Sequence, residues 1–156
     1  MDLTTFARNF AIKHHGDQKY NEGPYVNHLD AVAQVAKRFG YGNQTVLACC
    51  SLHDVIEDTD ATVEEVRSMF GTSIAMVVNA VSDPPGTNRK ERKALAYPEI
   101  RKVPMAVCVK LCDRIANVEV GGKLNMYKSE YPEFKKALYK KGEYDNLWNH
   151  LDTLLS

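Results

Sequence analysis

Six residues of this chain offer the donor types from which a metal-assisted active site is built: His28, the adjacent pair His53-Asp54, the acidic pair Glu57-Asp58, and Asp113. A neutral imidazole beside an ionised carboxylate is a mixed nitrogen–oxygen ligand set, suited to Mn, Fe or Zn. On a helix, His53 stacks on Glu57 and Asp54 on Asp58, whereas His53 and Asp54 lie about 100° apart around the axis. Both reach one cation if the helix presents its edge to a cleft. Asp113, inside Lys110-Leu111-Cys112-Asp113-Arg114, is the best third ligand, and His28, after Pro24-Tyr25-Val26-Asn27, the best fourth. Glu57 and Asp58, one turn beyond the pair, are placed to orient or deprotonate a water. Singly, each residue has an ordinary reading: a histidine on an apolar helix is usually a hydrogen-bonded core residue, and an aspartate near a helix end is often a cap. As a set they point to a metal site, because so many polar groups in apolar helices need a common partner.

The elements that must position these residues read as helix after helix, with almost no strand-like alternation. Residues 2–15 form a first amphipathic helix, and a turn-rich stretch from Gly16 to Asn27 follows. A second helix runs from about His28 to Phe39. The third, about Asn43 to Glu57, is apolar on most of its circumference and so belongs at the centre of the bundle. Thr62 with Glu65 is a capping-box signature for a short fourth helix, and a fifth spans about Ser73 to Ser82. Asp83-Pro84-Pro85-Gly86 is a loop, and 88–102 a polar, partly helical segment. Met105 to Val118 is again strongly apolar, Gly121-Gly122 ends it, and two or three amphipathic helices complete the chain. Trp148 and Tyr144 are expected to pack the last of them onto the bundle. With no internal repeat or linker, the expectation is a single all-α domain over 1–156.

Bulk properties narrow the function classes. Of 156 residues, 44% are hydrophobic and 26% charged, which is ordinary globular composition rather than disorder. Twenty Lys and Arg against twenty Asp and Glu give a formal net charge of zero, a poor basis for nucleic-acid binding, which needs a surplus of cations. No apolar run approaches the ~20 residues of a membrane span, and Met1 to Ala11 has no secretory h-region. Cys49, Cys50, Cys108 and Cys112 lie in apolar stretches with no Cys-x-x-Cys pair, so buried thiols in a reducing, cytoplasmic compartment are expected. The zero net charge conceals a polarity. Residues 54–65 hold six acids and no cation, and residues 87–102 hold Arg89, Lys90, Arg92, Lys93, Arg101 and Lys102. A small polyphosphate spanning an acidic, cation-holding side and a basic side accounts for both runs.

Four stretches in order, Gly23-Pro-Tyr-Val-Asn-His28, Leu52-His-Asp-Val-Ile-Glu-Asp-Thr59, Phe70-Gly71 and Val109-Lys-Leu-Cys-Asp-Arg-Ile-Ala-Asn117, resemble the HD superfamily of metal-dependent phosphohydrolases. Within it the chain is most similar to the alarmone hydrolase domains of the Rel/Spo enzymes and their small stand-alone relatives, over about residues 4–139. The resemblance implies an HD-type bundle of about eight to ten helices, and one divalent ion, most often Mn, held by His28, His53, Asp54 and Asp113. It further implies that Glu57 and Asp58 activate the hydrolytic water and that Asn117 contacts the nucleotide near its ribose or phosphates. Arg92 and Lys93 match a basic stretch facing phosphates, and Tyr131 matches a tyrosine lining the nucleotide pocket. The chain departs from the family after its first helix. Where those hydrolases carry an arginine or Arg-Lys pair, it reads His15-Gly16-Asp17-Gln18-Lys19-Tyr20, leaving Lys19 as the nearby cation, and Lys lacks the planar, bidentate geometry of Arg.

The favoured activity is therefore (p)ppGpp 3′-pyrophosphohydrolysis, with Lys19, Arg92, Lys93, Asn117 and Tyr131 as substrate contacts. Alternatives are a nucleotidase, a deoxynucleotide triphosphohydrolase or an NADPH phosphatase with the same metal chemistry, and, from another class, a non-catalytic nucleotide-binding module. The expected partner is a small nucleotide, not nucleic acid or a membrane, for a monomer or homodimer. His14 and His15 stand near the expected pocket mouth, and His150 reads as structural or surface.

Overall fold

The computed structural model describes residues 2–156. Helix α1 (Leu3–His15) starts where Asp2 accepts a hydrogen bond from the Thr5 N–H, and stops at Gly16, whose φ is 56°. A two-residue antiparallel ribbon follows, β1 (Lys19–Tyr20) against β2 (Gly23–Pro24), with Lys19 opposite Pro24 and Tyr20 opposite Gly23. The sequence expectation of turns without strands missed this ribbon. It is too short for a period-2 pattern to register.

Helices α2 (Val26–Arg38) and α3 (Gln44–Leu52) come next, and every α3 residue from Val46 to Leu52 is buried. The expected single helix over 43–57 is in fact two, because the chain leaves helical geometry at Asp54 (φ −104°, ψ 0°) before α4 (Val55–Asp58). The local cause is His53, whose Nδ1 donates to the Cys50 carbonyl at 2.7 Å, the acceptor that the Asp54 N–H takes in an uninterrupted helix. Asp54 thus occupies the sparsely allowed bridge region, where active-site residues recur.

The capping box at Thr62 and Glu65 opens α5 (Val63–Phe70), and α6 (Thr72–Val81) follows Gly71. Asn88 caps α7 (Arg89–Arg101). Helix α8 (Pro104–Val120), with Pro at its first turn, is the axis of the molecule, its residues 106–112 all buried. Helices α9 (Leu124–Leu138) and α10 (Asp145–Leu155) pack on it through Phe134, Leu138, Leu147 and Trp148. Tyr144 adds a hydroxyl bond to the Pro104 carbonyl, as its expected packing role requires. Ten helices among the described residues, the four-residue α4 included, and one small ribbon make an all-α bundle. All four cysteines are free and buried in its core. No helix among the described residues is long and apolar enough to cross a membrane.

Candidate metal and active site

Four elements converge on one point. His28 comes from the first turn of α2, His53 and Asp54 from the break between α3 and α4, and Asp113 from the middle of α8. His28 Nε2 lies 3.0 Å and His53 Nε2 3.2 Å from the same Asp113 Oδ1. Asp54 Oδ2 lies 3.0 Å from His53 Nε2 and 3.7 Å from His28 Nε2. Ligand atoms of His28, His53 and Asp113 all fall within 4.8 Å of one another.

The donor set fits a divalent cation. Since His53 Nδ1 donates to the Cys50 carbonyl, the neutral ring carries its lone pair on Nε2. That atom is buried and makes no aligned hydrogen bond, although two carboxylate oxygens stand beside it. A lone pair facing two anionic oxygens is unfavourable unless a positive charge lies between them. Without a metal, that charge must be a proton. Burial opposes the imidazolium most strongly, yet Asp54 and Asp113 outweigh it and raise the His53 pKa well above its usual value. Burial likewise opposes the ionised Asp113, but His53, His28 and Lys110 hold its carboxyl well below the ordinary range. Asp54 is lowered in the same way, against burial, by His53 and by a hydrogen bond from the Tyr25 hydroxyl.

Glu57 and Asp58 sit at the rim of the same polar hollow, which has a volume of about 190 Å³. Burial, then the charges of Asp83 and Asp54, raise the Glu57 pKa, although the Asp83 N–H donates to its carboxylate at 2.5 Å. Burial and the Asp54 charge raise that of Asp58, against hydrogen bonds from Gln18 and Tyr25. Both are therefore better proton acceptors near neutral pH than ordinary carboxylates. Tyr25 links the two layers by donating to Asp54 and Asp58. Burial and the Asp54 charge push its phenol far above the usual range, so it stays a neutral donor.

The hollow is also lined by four cationic side chains, Arg89 and Lys93 of α7 and Lys110 and Arg114 of α8. Lys93 Nζ is 2.8 Å from Asp83, and Lys110 Nζ 3.7 Å from Asp113. Arg114 is 2% exposed, its guanidinium 4.2 Å from the Phe134 ring centre and 4.9 Å from that of Tyr127. Asn117 accepts from the Tyr20 hydroxyl and donates to Asp113 at 3.1 Å. Tyr20 lies nearly parallel on His28, ring centres 4.5 Å apart.

Among the residues expected from sequence to contact substrate, Lys93 and Asn117 line this hollow, and Lys19, Arg92 and Tyr131 do not. Lys19 is exposed, because adjacent strand residues face opposite ways and Tyr20 is the one turned inward. Arg92 lines a neighbouring cleft of about 930 Å³ that shares Glu57 with the hollow. Tyr131 packs toward Phe134 and Trp148, with its hydroxyl on Asp152. Tyr127, one helical turn earlier, faces the hollow instead. The basic run of 87–102 divides accordingly: Arg89 and Lys93 face the site, while Arg101 pairs with Glu143 and Lys102 with Glu99. His15 stands behind Tyr25, ring centres 4.5 Å apart, and His14 packs on Phe10. His150 pairs with Glu119 on the surface. Sequence reading passed over Arg89, Lys110, Arg114, Tyr25 and Tyr127 as site residues. Lys110 and Arg114 carried the same signal as Asp113, a charge inside an apolar helix.

A family model described as the HD domain matches residues 7–151, and the chain belongs to that family. HD membership implies a divalent cation, and His28, His53 and Asp113 are placed to hold one. The chain is 35% identical over 118 residues to a guanosine-3′,5′-bis(diphosphate) 3′-pyrophosphohydrolase of Aquifex aeolicus, covering 72% of this chain and 17% of that protein. To the Homo sapiens enzyme of that name it is 36% identical over 117 residues, covering 72% of this chain and 65% of the other. The matches thus span less than two thirds of these curated relatives. A solved metazoan orthologue of SpoT, described as hydrolysing ppGpp and playing a role in starvation responses, superposes with a TM-score of 0.84. Sequence identity there is 27%, over 99% of this chain and 94% of that one.

Proposed function

We propose that this chain, as one HD domain, is a divalent-metal-dependent phosphohydrolase that removes the 3′-diphosphate of a guanosine 3′,5′-bis(diphosphate) alarmone as pyrophosphate. The observation that carries the reading is the orphaned His53 Nε2, set beside Asp54 and Asp113 and one turn from two carboxylates of raised basicity. The names of the relatives support the substrate.

In this reading His28, His53, Asp54 and Asp113 hold the ion, with manganese the favoured one, and when bound it supplies Lewis-acid polarisation of the phosphoryl group. Glu57 or Asp58 takes the proton of the attacking water on a carboxylate oxygen while Tyr25 fixes Asp58 in place. The water oxygen bonds to the ribose-linked phosphorus, the bond from that phosphorus to the ribose oxygen breaks, and the ribose oxygen ends protonated. Lys93 and Arg89 neutralise phosphate charge. Asn117 keeps one N–H and one lone pair free for a ribose hydroxyl. Four free, buried cysteines support a reducing, cytoplasmic setting.

A second reading, another nucleotide cleaved by the same chemistry, is favoured by one observation: Lys19 points away and Tyr20 takes its place against His28. The test is a nucleotide screen with manganese, phosphate and pyrophosphate being quantified separately. The alarmone should give pyrophosphate, and orthophosphate as sole product refutes the favoured reaction. Asp54→Ala should abolish metal binding and turnover together; survival of both refutes the site.

A further inference from the structure

Asp83, two residues past the end of α6, lines the neighbouring cleft and touches Glu57 and Lys93, which line the polar hollow. Its backbone N–H donates to the Glu57 carboxylate. Its side chain is 8% exposed and holds Lys93 Nζ at 2.8 Å through Oδ2, while Oδ1 is buried with no hydrogen-bond partner. Lys93 is itself nearly buried, at 10%, and lines the hollow together with Asp54 and Asp58. One residue therefore touches both a carboxylate and a cation of the site, although neither its type nor its place in Asp83-Pro84-Pro85 marks it in sequence.

We propose that Asp83 is a positioning residue, whose carboxylate keeps Lys93 charged and directed into the hollow as the phosphate-facing cation. The proposal rests on the phosphohydrolase reading for its effect on turnover, and on the Asp83–Lys93 geometry for the rest. Burial, Lys110 of α8 and Arg89 of α7 all disfavour its charged form, and together they lower its pKa to about 8 despite Asp83. Glu57 of α4 lines the same hollow and Glu130 of α9 lies within electrostatic reach, but neither makes an ion pair with Lys93. Asp83 is thus the counter-ion that keeps the ammonium protonated at neutral pH.

Asp83→Asn keeps the shape and the backbone N–H but removes the charge, so Lys93 loses its proton at lower pH, by about one unit or more. The lysine titration is read by NMR on isotope-labelled, metal-free protein, with Lys93→Arg identifying the resonance. In the same variant the alkaline limb of kcat/KM should move down in pH by the same amount. KM at neutral pH should rise about twofold for a one-unit drop and about tenfold for a two-unit drop, with kcat far less affected. In Asp83→Asn/Lys93→Arg the cation cannot be deprotonated, so neutral-pH KM should recover. A purely structural role would lower Tm and leave both titrations in place. An unchanged Lys93 midpoint in folded Asp83→Asn overturns the proposal. If the wild type hydrolyses no nucleotide at any pH, the phosphohydrolase reading falls, and the lysine titration still decides whether Asp83 sets the charge of Lys93.

Discussion

Replacing Asp113 by Asn separates the metal contribution of the site from its packing. The carboxamide is nearly isosteric and preserves an oxygen acceptor, but the residue loses the negative charge that two imidazole nitrogens approach at 3.0 and 3.2 Å and Lys110 at 3.7 Å. In chelator, the cost is that of breaking a buried ion pair. The low end of the usual range applies, about 3 kcal/mol, because Asp83 and Asp54 still act on Lys110. At roughly 2–4 °C per kcal/mol for a domain this size, Tm should fall by about 6–12 °C. With manganese at about a thousand times the wild-type Kd, the wild type gains about 4 kcal/mol from mass action. Loss of an inner ligand should cost at least the roughly 100-fold seen for outer ones, which leaves the variant about 1.4 kcal/mol from the same ion concentration. The gap in Tm should therefore widen by a further 5–11 °C or so when metal replaces chelator. Scanning calorimetry of both proteins with manganese and with EDTA measures this directly. A wild-type Tm indifferent to EDTA, or a variant that responds to manganese as the wild type does, refutes the reasoning.

Glu57→Gln should lower kcat by about 10²–10⁴-fold with metal content unchanged, as measured by turnover and metal analysis on one sample. Because burial raises the Glu57 pKa, the acidic limb of wild-type kcat should lie above that of an ordinary glutamate: the base is lost as pH falls through the raised value. Tyr25→Phe removes the donor to Asp54 and Asp58, and metal affinity should drop about 10–100-fold by titration calorimetry. Trp148 is 1% exposed against Phe134 and Tyr139. Trp148→Ala should cost about 3–5 kcal/mol in denaturant titration and leave the kcat of the folded fraction intact.

The sequence by itself determined the helical class and singled out the candidate His–Asp cluster, because both are written in local terms. Apolar residues around most of the circumference mark α3 as central and a strongly apolar run marks α8, and polar groups at or inside those helices mark His53, Asp54 and Asp113 as requiring a partner. The capping box at Thr62 and the burial of four free cysteines were legible for the same reason. Tertiary structure alone decided which side chains face the hollow. In the ribbon a single register step separates exposed Lys19 from inward Tyr20. In α9 one turn separates Tyr127 from Tyr131, and only the packing of Trp148 and Phe134 selects between them. The helix break at Asp54 depends on a side chain capturing a backbone carbonyl, which no hydrophobic period encodes. Asp83 stood in a loop with no pattern to read. Its importance comes from the approach of α4 and α7, elements 26 and 10 residues away in sequence at Glu57 and Lys93, which brings a carboxylate and an ammonium onto one residue.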